Sequence, residues 1–216
     1  MNDFKIRRMT VIAMISAIAY VLMVMVRIPV VMFLKYEPKD IIIVIGGFIY
    51  GPMAAFVASL LVSFVEFFTV SDTGVIGLIM NVLSTCSFAC TAAFVYKAYK
   101  NIKGAVTGLV IGTIVMCGMM LLWNYLITPL YMNVPRQEVA KLLLPAILPF
   151  NLLKGTLNSV ITFLIYKPVV KALRRAKLVA TTENSSPEKR NIGVVVVALL
   201  LFVTCILAIF AFRGII

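Results

Sequence analysis

The chain has 216 residues, 62% of them hydrophobic, with a mean hydropathy of +1.08. That composition excludes a soluble domain and leaves an integral membrane protein. A net charge of +12 would suggest nucleic acid as the partner of a soluble protein, but here the basic residues sit in short loops between apolar runs, the pattern of membrane topology.

The leader from Asn2 to Arg8 carries Lys5, Arg7 and Arg8. A first helix runs from about Met9 to Val26. No A-x-A site follows it and further spans continue beyond, so it reads as a span and not as a cleaved signal. Its Ala13 and Ala17 are four residues apart, the spacing that lets two membrane helices approach closely. Packing inside the bundle and packing against a partner helix both fit that spacing. Arg27-Ile28-Pro29 ends the helix, and Val30 to Pro38 is too short and too interrupted to span. It reads as a loop, yet it contains Val31-Met32-Phe33-Leu34, which suits a lid; docking at the membrane interface would also explain it.

The next stretch, from Lys39-Asp40 to about Val70, contains Gly46-Gly47-Phe48-Ile49-Tyr50-Gly51-Pro52. Proline removes a helix donor and the preceding Gly permits a turn. The segment therefore divides into a short second helix and a third helix starting at Pro52, the alternative being one long kinked helix. Ser71-Asp72-Thr73-Gly74 is a turn. A fourth helix, about Val75 to Tyr96, carries Asn81 and Ser84. After the loop with Lys97, Lys100 and Lys103, a fifth helix, about Ala105 to Leu130, places Asn124 between Trp123 and Tyr125. The loop from Tyr131 to Lys141 precedes a sixth apolar run, Leu142 to Ile165. Ile192 to Phe212 is a last apolar span that reads as a plain anchor.

The expected fold is an all-α integral membrane protein, a six-helix transmembrane bundle over residues 1–177. A polar linker at 178–191, with Ser185-Ser186-Pro187, leads to an additional C-terminal transmembrane helix at 192–216. Dividing the chain at Gly51-Pro52 sorts the basic residues, thirteen to one side and six to the other. The richer side is cytoplasmic, so the N-terminus is expected inside a cell membrane crossed many times.

The sixth run holds Pro149-Phe150-Asn151-Leu152-Leu153-Lys154-Gly155, a polar interruption in an apolar helix. A positive charge at mid-membrane costs about 2.5–3.5 kcal/mol on insertion scales. Residues three and four apart share a helix face, so Asn151, Lys154, Asn158 and Thr162 form one polar stripe that faces helices or a wet cavity. Two readings of Lys154 stand. As a structural ion-pair partner its loss destabilises the bundle; as a ligand donor its replacement by Met weakens binding and leaves stability normal or improved. Asn81, Asn124, Asn151 and Lys154 fall about 10–20 Å below the outer surface when counted at the helical rise. Asn offers a donor and an acceptor, and Lys three donors and a charge. With Trp123, Tyr125, Tyr131 and Phe150 as flat surfaces, this composition suits a small polycyclic ligand.

Nothing points to catalysis. Histidine is absent, and Cys86, Cys90, Cys117 and Cys205 lie in apolar runs without metal-ligand or disulfide spacing. No phosphate loop, nucleophile elbow or metal cluster is present. Glu66 stands alone near a helix end, and Asp40 and Asp72 lie at helix starts, where capping accounts for them. Without embedded carboxylates to carry protons or sodium, any transport must draw its energy from elsewhere.

Five pieces occur in order: Tyr36-Glu37-Pro38-Lys39-Asp40; Ile45 to Pro52; Met80-Asn81-Val82-Leu83-Ser84; Asn124-Tyr125 with Pro129-Leu130-Tyr131; and Pro149-Phe150-Asn151 with Lys154-Gly155. Over about residues 5–175 the chain resembles the riboflavin-specific substrate-binding subunits, or S components, of energy-coupling factor (ECF) vitamin transporters. The resemblance implies a six-helix bundle that binds riboflavin near its outer face, beneath the loop after the first helix. Riboflavin is then a transported ligand, with no cofactor and no ATPase in the chain. Asn124, Asn151 and Lys154 match positions that hydrogen-bond the flavin. Ala13 and Ala17 match the motif that docks on the energy-coupling transmembrane subunit, which two ATPase subunits drive. The final span departs from the pattern. The rival readings are an S component for another vitamin, an intramembrane enzyme, and a structural subunit without ligand.

Overall fold

Apolar runs this long can satisfy their backbone groups in lipid only as helices. A computed structural model describes residues 3–31, 34–175 and 192–212. The helices are α1 (Asp3–Met25), α2 (Lys39–Tyr50), α3 (Pro52–Thr69), α4 (Gly74–Tyr99), α5 (Ile102–Met132), α6 (Arg136–Leu142), α7 (Leu148–Arg175) and α8 (Ile192–Phe212). A π-helical turn, Leu143–Ile147, joins α6 to α7, where Pro145 has no N–H for the regular ladder. Six helical stretches among the described residues are long and apolar enough to cross a membrane: Lys5–Met25, Pro52–Thr69, Gly74–Tyr99, Ile102–Met132, Arg136–Ala172 and Val195–Phe212. Helix α2 is not among them; its 12 residues reach about 18 Å. The expected linker at 178–191 lies outside the described residues.

The division between α2 and α3 is a fold-back. Gly51 has φ +90°, a conformation that L side chains rarely adopt, and Pro52 opens α3. Lys39 at the start of α2 reaches Glu66 near the end of α3, Nζ to Oε2 2.5 Å. On one straight helix those residues would be about 40 Å apart. Close packing holds the turn: a Cβ on Gly47 would stand 2.9 Å from the Ala93 Cβ and 3.0 Å from the Ala55 Cβ. The core around it is rich in alanine, including Ala58, Ala89 and Ala92, as expected where helices gain from close contact more than from leaving water.

Contacts sort the two ends of the bundle. At one end Arg8 donates to the Tyr50 carbonyl at 3.4 Å. The Tyr96 and Tyr166 hydroxyls meet there at 2.6 Å, with both rings against Phe48. This end gathers the leader, Lys97 and Lys167. At the other end Arg27 donates to the Val70 carbonyl at 2.6 Å.

The segment read as a loop, Val30 to Pro38, begins as a two-stranded antiparallel ribbon. Strand β1 (Ile28–Val31) pairs with β2 (Leu34–Tyr36), Ile28 opposite Tyr36 and Pro29 opposite Lys35. Alternation decides its faces: Val30, Leu34 and Tyr36 turn in, while Pro29 is exposed and Lys35 half-buried. The inner face packs on Ile147, Phe150, Leu153 and Leu157. The ribbon therefore sits on the protein as a lid. The final span, read as a plain anchor, also touches it: Cys205 and Ile209 of α8 join the same apolar cluster, although most of α8 is exposed. The expected loop from Tyr131 to Lys141 is largely helical, since α6 begins at Arg136.

The two ends supply a topology prediction. On a cysteine-free background, a membrane-impermeant thiol reagent added outside should label Pro29→Cys in intact cells. Lys100→Cys should react only after permeabilisation. Both positions are exposed, and labelling of both from one side would contradict the fold-back at Gly51.

Candidate functional site

Two linked groups of buried charge lie beneath the lid. In the first, Lys39 sits between two carboxylates, 2.9 Å from Glu37 Oε2 and 2.5 Å from Glu66 Oε2. Arg27 adds a 3.0 Å pair to Glu37 Oε1, and Asn81 Nδ2 donates to Glu66 Oε1 at 2.8 Å. In the second, Asp40 faces Lys154 of α7, Oδ2 to Nζ 3.4 Å. The same carboxylate accepts from Thr85 Oγ1 at 2.6 Å and from Asn158 Nδ2 at 3.3 Å. Asn158 Oδ1 in turn accepts from the Tyr36 hydroxyl on the lid at 2.9 Å. Lys39, Asp40, Glu66, Lys154 and Asn158 are all buried.

Removing a charge from water costs several kcal/mol even after relaxation, so each must find a partner. The groups balance, with Arg27, Lys39 and Lys154 against Glu37, Asp40 and Glu66. On the lid side, burial pushes the Glu37 carboxyl up, but the charges of Lys39, Lys154 and Arg27 outweigh it and hold it below the usual carboxylate range. Burial, and after it the charge of Asp40, push the Tyr36 phenol well above its ordinary value, so it stays a hydrogen-bond donor. Outside this core, Lys35 on β2 pairs with exposed Asp72 at 2.5 Å. The hydrogen bond and charge of Lys35, then Arg27, hold Asp72 below the usual carboxylate range.

Three sequence expectations are corrected by this geometry. Asp40 and Asp72 are not caps: neither α2 nor α4 has a side-chain cap, and both carboxylates go to ion pairs. Glu66 does not stand alone but pairs with Lys39 and Asn81. Embedded carboxylates are present, and each is matched by a base. Lys154 is the ion-pair partner of one of them. The signal for these pairs was the rule already applied to Lys154, that an ionisable residue inside an apolar run marks a site; a carboxylate at a helix start invites the weaker explanation.

The expected ligand residues are placed as follows. Asn124 donates to the Met120 carbonyl at 2.7 Å and accepts from Thr128. Asn151 donates to the Ile147 carbonyl at 2.8 Å. Each thus bonds within its own helix. Gly155 lies against Thr113 and Met116, which brings α7 close to α5. Phe150 is buried under the lid. Asn81 belongs to the Lys39 group. Tyr125 and Tyr131 are exposed and Trp123 packs on the core, so of the aromatic surfaces expected in a pocket Phe150 is the one the lid covers. Ala13 and Ala17 are both exposed on α1. Among the described residues no metal-ligand cluster occurs.

Residues 7–166 match the family model described as ECF transporter, substrate-specific component. The chain belongs to that family. This S component is 31% identical over 179 residues to "Riboflavin transporter RibU" of Staphylococcus aureus (strain TCH60), covering 78% of the chain and 93% of the relative. It is 30% identical over 189 residues to "Riboflavin transporter FmnP" of Bacillus subtilis (strain 168), covering 81% and 99%. It also superposes on a solved structure, "Structure and mechanism of the S component of a bacterial ECF transporter", with TM-score 0.67, 30% identity, and coverage of 79% and 99%. It is therefore a multi-pass membrane transport protein and not an enzyme, and it works with an energising module. The family match stops before α8.

Pairing sets the stability of the site. Lys154→Met leaves Asp40 buried without its counter-charge and is expected to destabilise this S component by about 3–5 kcal/mol. Adding Asp40→Leu should recover part of that loss. Thermal unfolding in detergent measures both, and a Lys154→Met protein as stable as the parent would show that the pair holds nothing together.

Proposed function

We propose that this S component binds riboflavin from outside the cell and delivers it inward with the energising module, the N-terminus lying in the cytoplasm. The observation that carries the reading is Lys154, buried and held at Asp40 beneath an apolar lid. Its ammonium is an ion-pair partner of Asp40 at 3.4 Å and carries three N–H donors that a ligand could use. Asn151 lies one turn away on the same face. Asn124, on the neighbouring α5, can exchange its bond to the Met120 carbonyl for one to a ligand, since that carbonyl also serves the helix. Phe150 and the inner face of the lid offer apolar cover for a flat ring. The names of the relatives point to riboflavin, whose ring carbonyls and nitrogens accept hydrogen bonds. Asn81, bound to Glu66, contributes by fixing the charge group below the lid.

A hydrogen bond from a charged donor contributes about 1.5–3 kcal/mol, or roughly 10- to 150-fold in affinity. Calorimetric titration of the detergent-purified protein with riboflavin should show tight binding. Lys154→Met should weaken it by that factor in the folded fraction, and Asn151→Leu should weaken it as well. Unchanged affinity in Lys154→Met removes that residue from the site. A folded parent that ignores riboflavin would give the site to another heterocycle.

The exposed Ala13 and Ala17 suit close approach by a helix of the energy-coupling transmembrane subunit, which two ATPase subunits drive. Replacing either by Trp should abolish uptake in cells that contain the whole transporter and leave riboflavin binding by the isolated subunit intact. Loss of both activities would show that the face serves the fold of this chain.

A further inference from the structure

Helix α8 is apolar throughout, yet only one narrow stripe of it is packed. Ala198, Cys205 and Ile209 are buried and Phe202 is half-buried, while Leu200, Val203 and Leu207 are exposed. The packed positions recur every three or four residues, so they share one face of the helix. The later part of that face, Phe202, Cys205 and Ile209, joins the apolar cluster of Val30 and Leu34 on the ribbon and Phe150 on α7. Helix α8 also runs against β1. From the same cluster α7 descends to Tyr166, whose hydroxyl meets Tyr96 at the opposite end of the bundle. Helix α8 therefore returns from the Tyr166 end and finishes beside the ribbon, with Phe212 about one turn beyond Ile209. The family match ends at residue 166, so this wall is an addition to the matched pattern.

We propose that α8 is a wall of the ligand site, in which Cys205 and Ile209 are positioning residues that set the ribbon and Phe150 for a flat ligand. A ribbon of two short strands is not stable by itself and needs its apolar face covered. Helix α7 covers part of that face and α8 completes the cover. Small residues at Ala198 and Cys205 allow α8 the close approach from which membrane helices gain their contact. The same course carries the chain to the ribbon side of the membrane, opposite the N-terminus. The effect on a ligand rests on the riboflavin site proposed above; the course of α8 and its hold on the ribbon do not.

Three measurements on the full chain test this. On a cysteine-free background, Phe212→Cys should be labelled by an impermeant thiol reagent from the same side as Pro29→Cys; labelling from the other side would overturn the course of α8. Ile209→Ala should lower riboflavin affinity in the folded fraction roughly 4- to 15-fold, the worth of one to two buried CH₂ groups. Ile209→Val should restore most of it, and Leu200→Ala, on the exposed face, should change nothing. Unchanged affinity in Ile209→Ala, or an equal loss in Leu200→Ala, would overturn the positioning role and leave α8 as an anchor. The third measurement needs no ligand. Alkylation of a single buried thiol, Val30→Cys, should be faster with Ile209→Ala and unaltered with Leu200→Ala; an unaltered rate in both would overturn the hold on the ribbon. If the parent ignores riboflavin and the alkylation rate still responds to Ile209→Ala, the choice of ligand is wrong and the wall stands.

Discussion

A charge buried inside a membrane bundle must be met by another charge, and that requirement shapes the end of this protein beneath the ribbon. Lys39 cannot be left alone where it is fully buried, and the carboxylates within its reach come from the lid strand side, Glu37, and from the far end of α3, Glu66. Helix α2 is consequently short and folded back against α3. Removing one partner of such a group leaves the others uncompensated, so the group behaves as a unit. Its value lies less in net stability than in geometry, since an apolar replacement of similar volume would serve stability as well. The ions place the lid, α2, α3 and α4 relative to one another at the depth where a ligand would be read.

The lid is held by three kinds of contact that differ in strength. Its apolar inner face packs on α7 and on two residues of α8. Its buried polar contacts, Tyr36 to Asn158 and Glu37 to Lys39, lie in surroundings where an unmade bond is costly. Its outer contact, Lys35 to Asp72, is exposed and contributes little. Opening therefore depends chiefly on the buried contacts, and these are the ones shared with Lys154.

Much of the architecture is legible in the residues. Gly51-Pro52 marks the turn because proline lacks a donor and Gly tolerates positive φ, and the sorting of lysine and arginine follows from it. The polar stripe of α7 is legible because helical spacing places Asn151, Lys154 and Asn158 on one face. The spacing of Ala13 and Ala17 fits two uses, and the structure leaves both residues exposed on α1. The ribbon at Ile28–Tyr36 was hidden by its shortness: with so few residues per strand, alternation is hard to tell from a loop.

Periodicity and charge alone determined the membrane class, the long apolar helices and the presence of a buried base, and Gly51-Pro52 marked the fold-back. These are local properties, set by hydrogen bonding within one helix and by the transfer of side chains into lipid. The partners of each charge were decided only in three dimensions. Asp40 and Lys154 are more than a hundred residues apart, as are Tyr36 and Asn158, |i−j| 122. A carboxylate at the start of a helix has the same local sequence whether it caps the helix or pairs with a distant base. Only the packing of α2 against α4 and α7 brings Thr85, Asn158 and Lys154 within reach of Asp40 and so settles which it does.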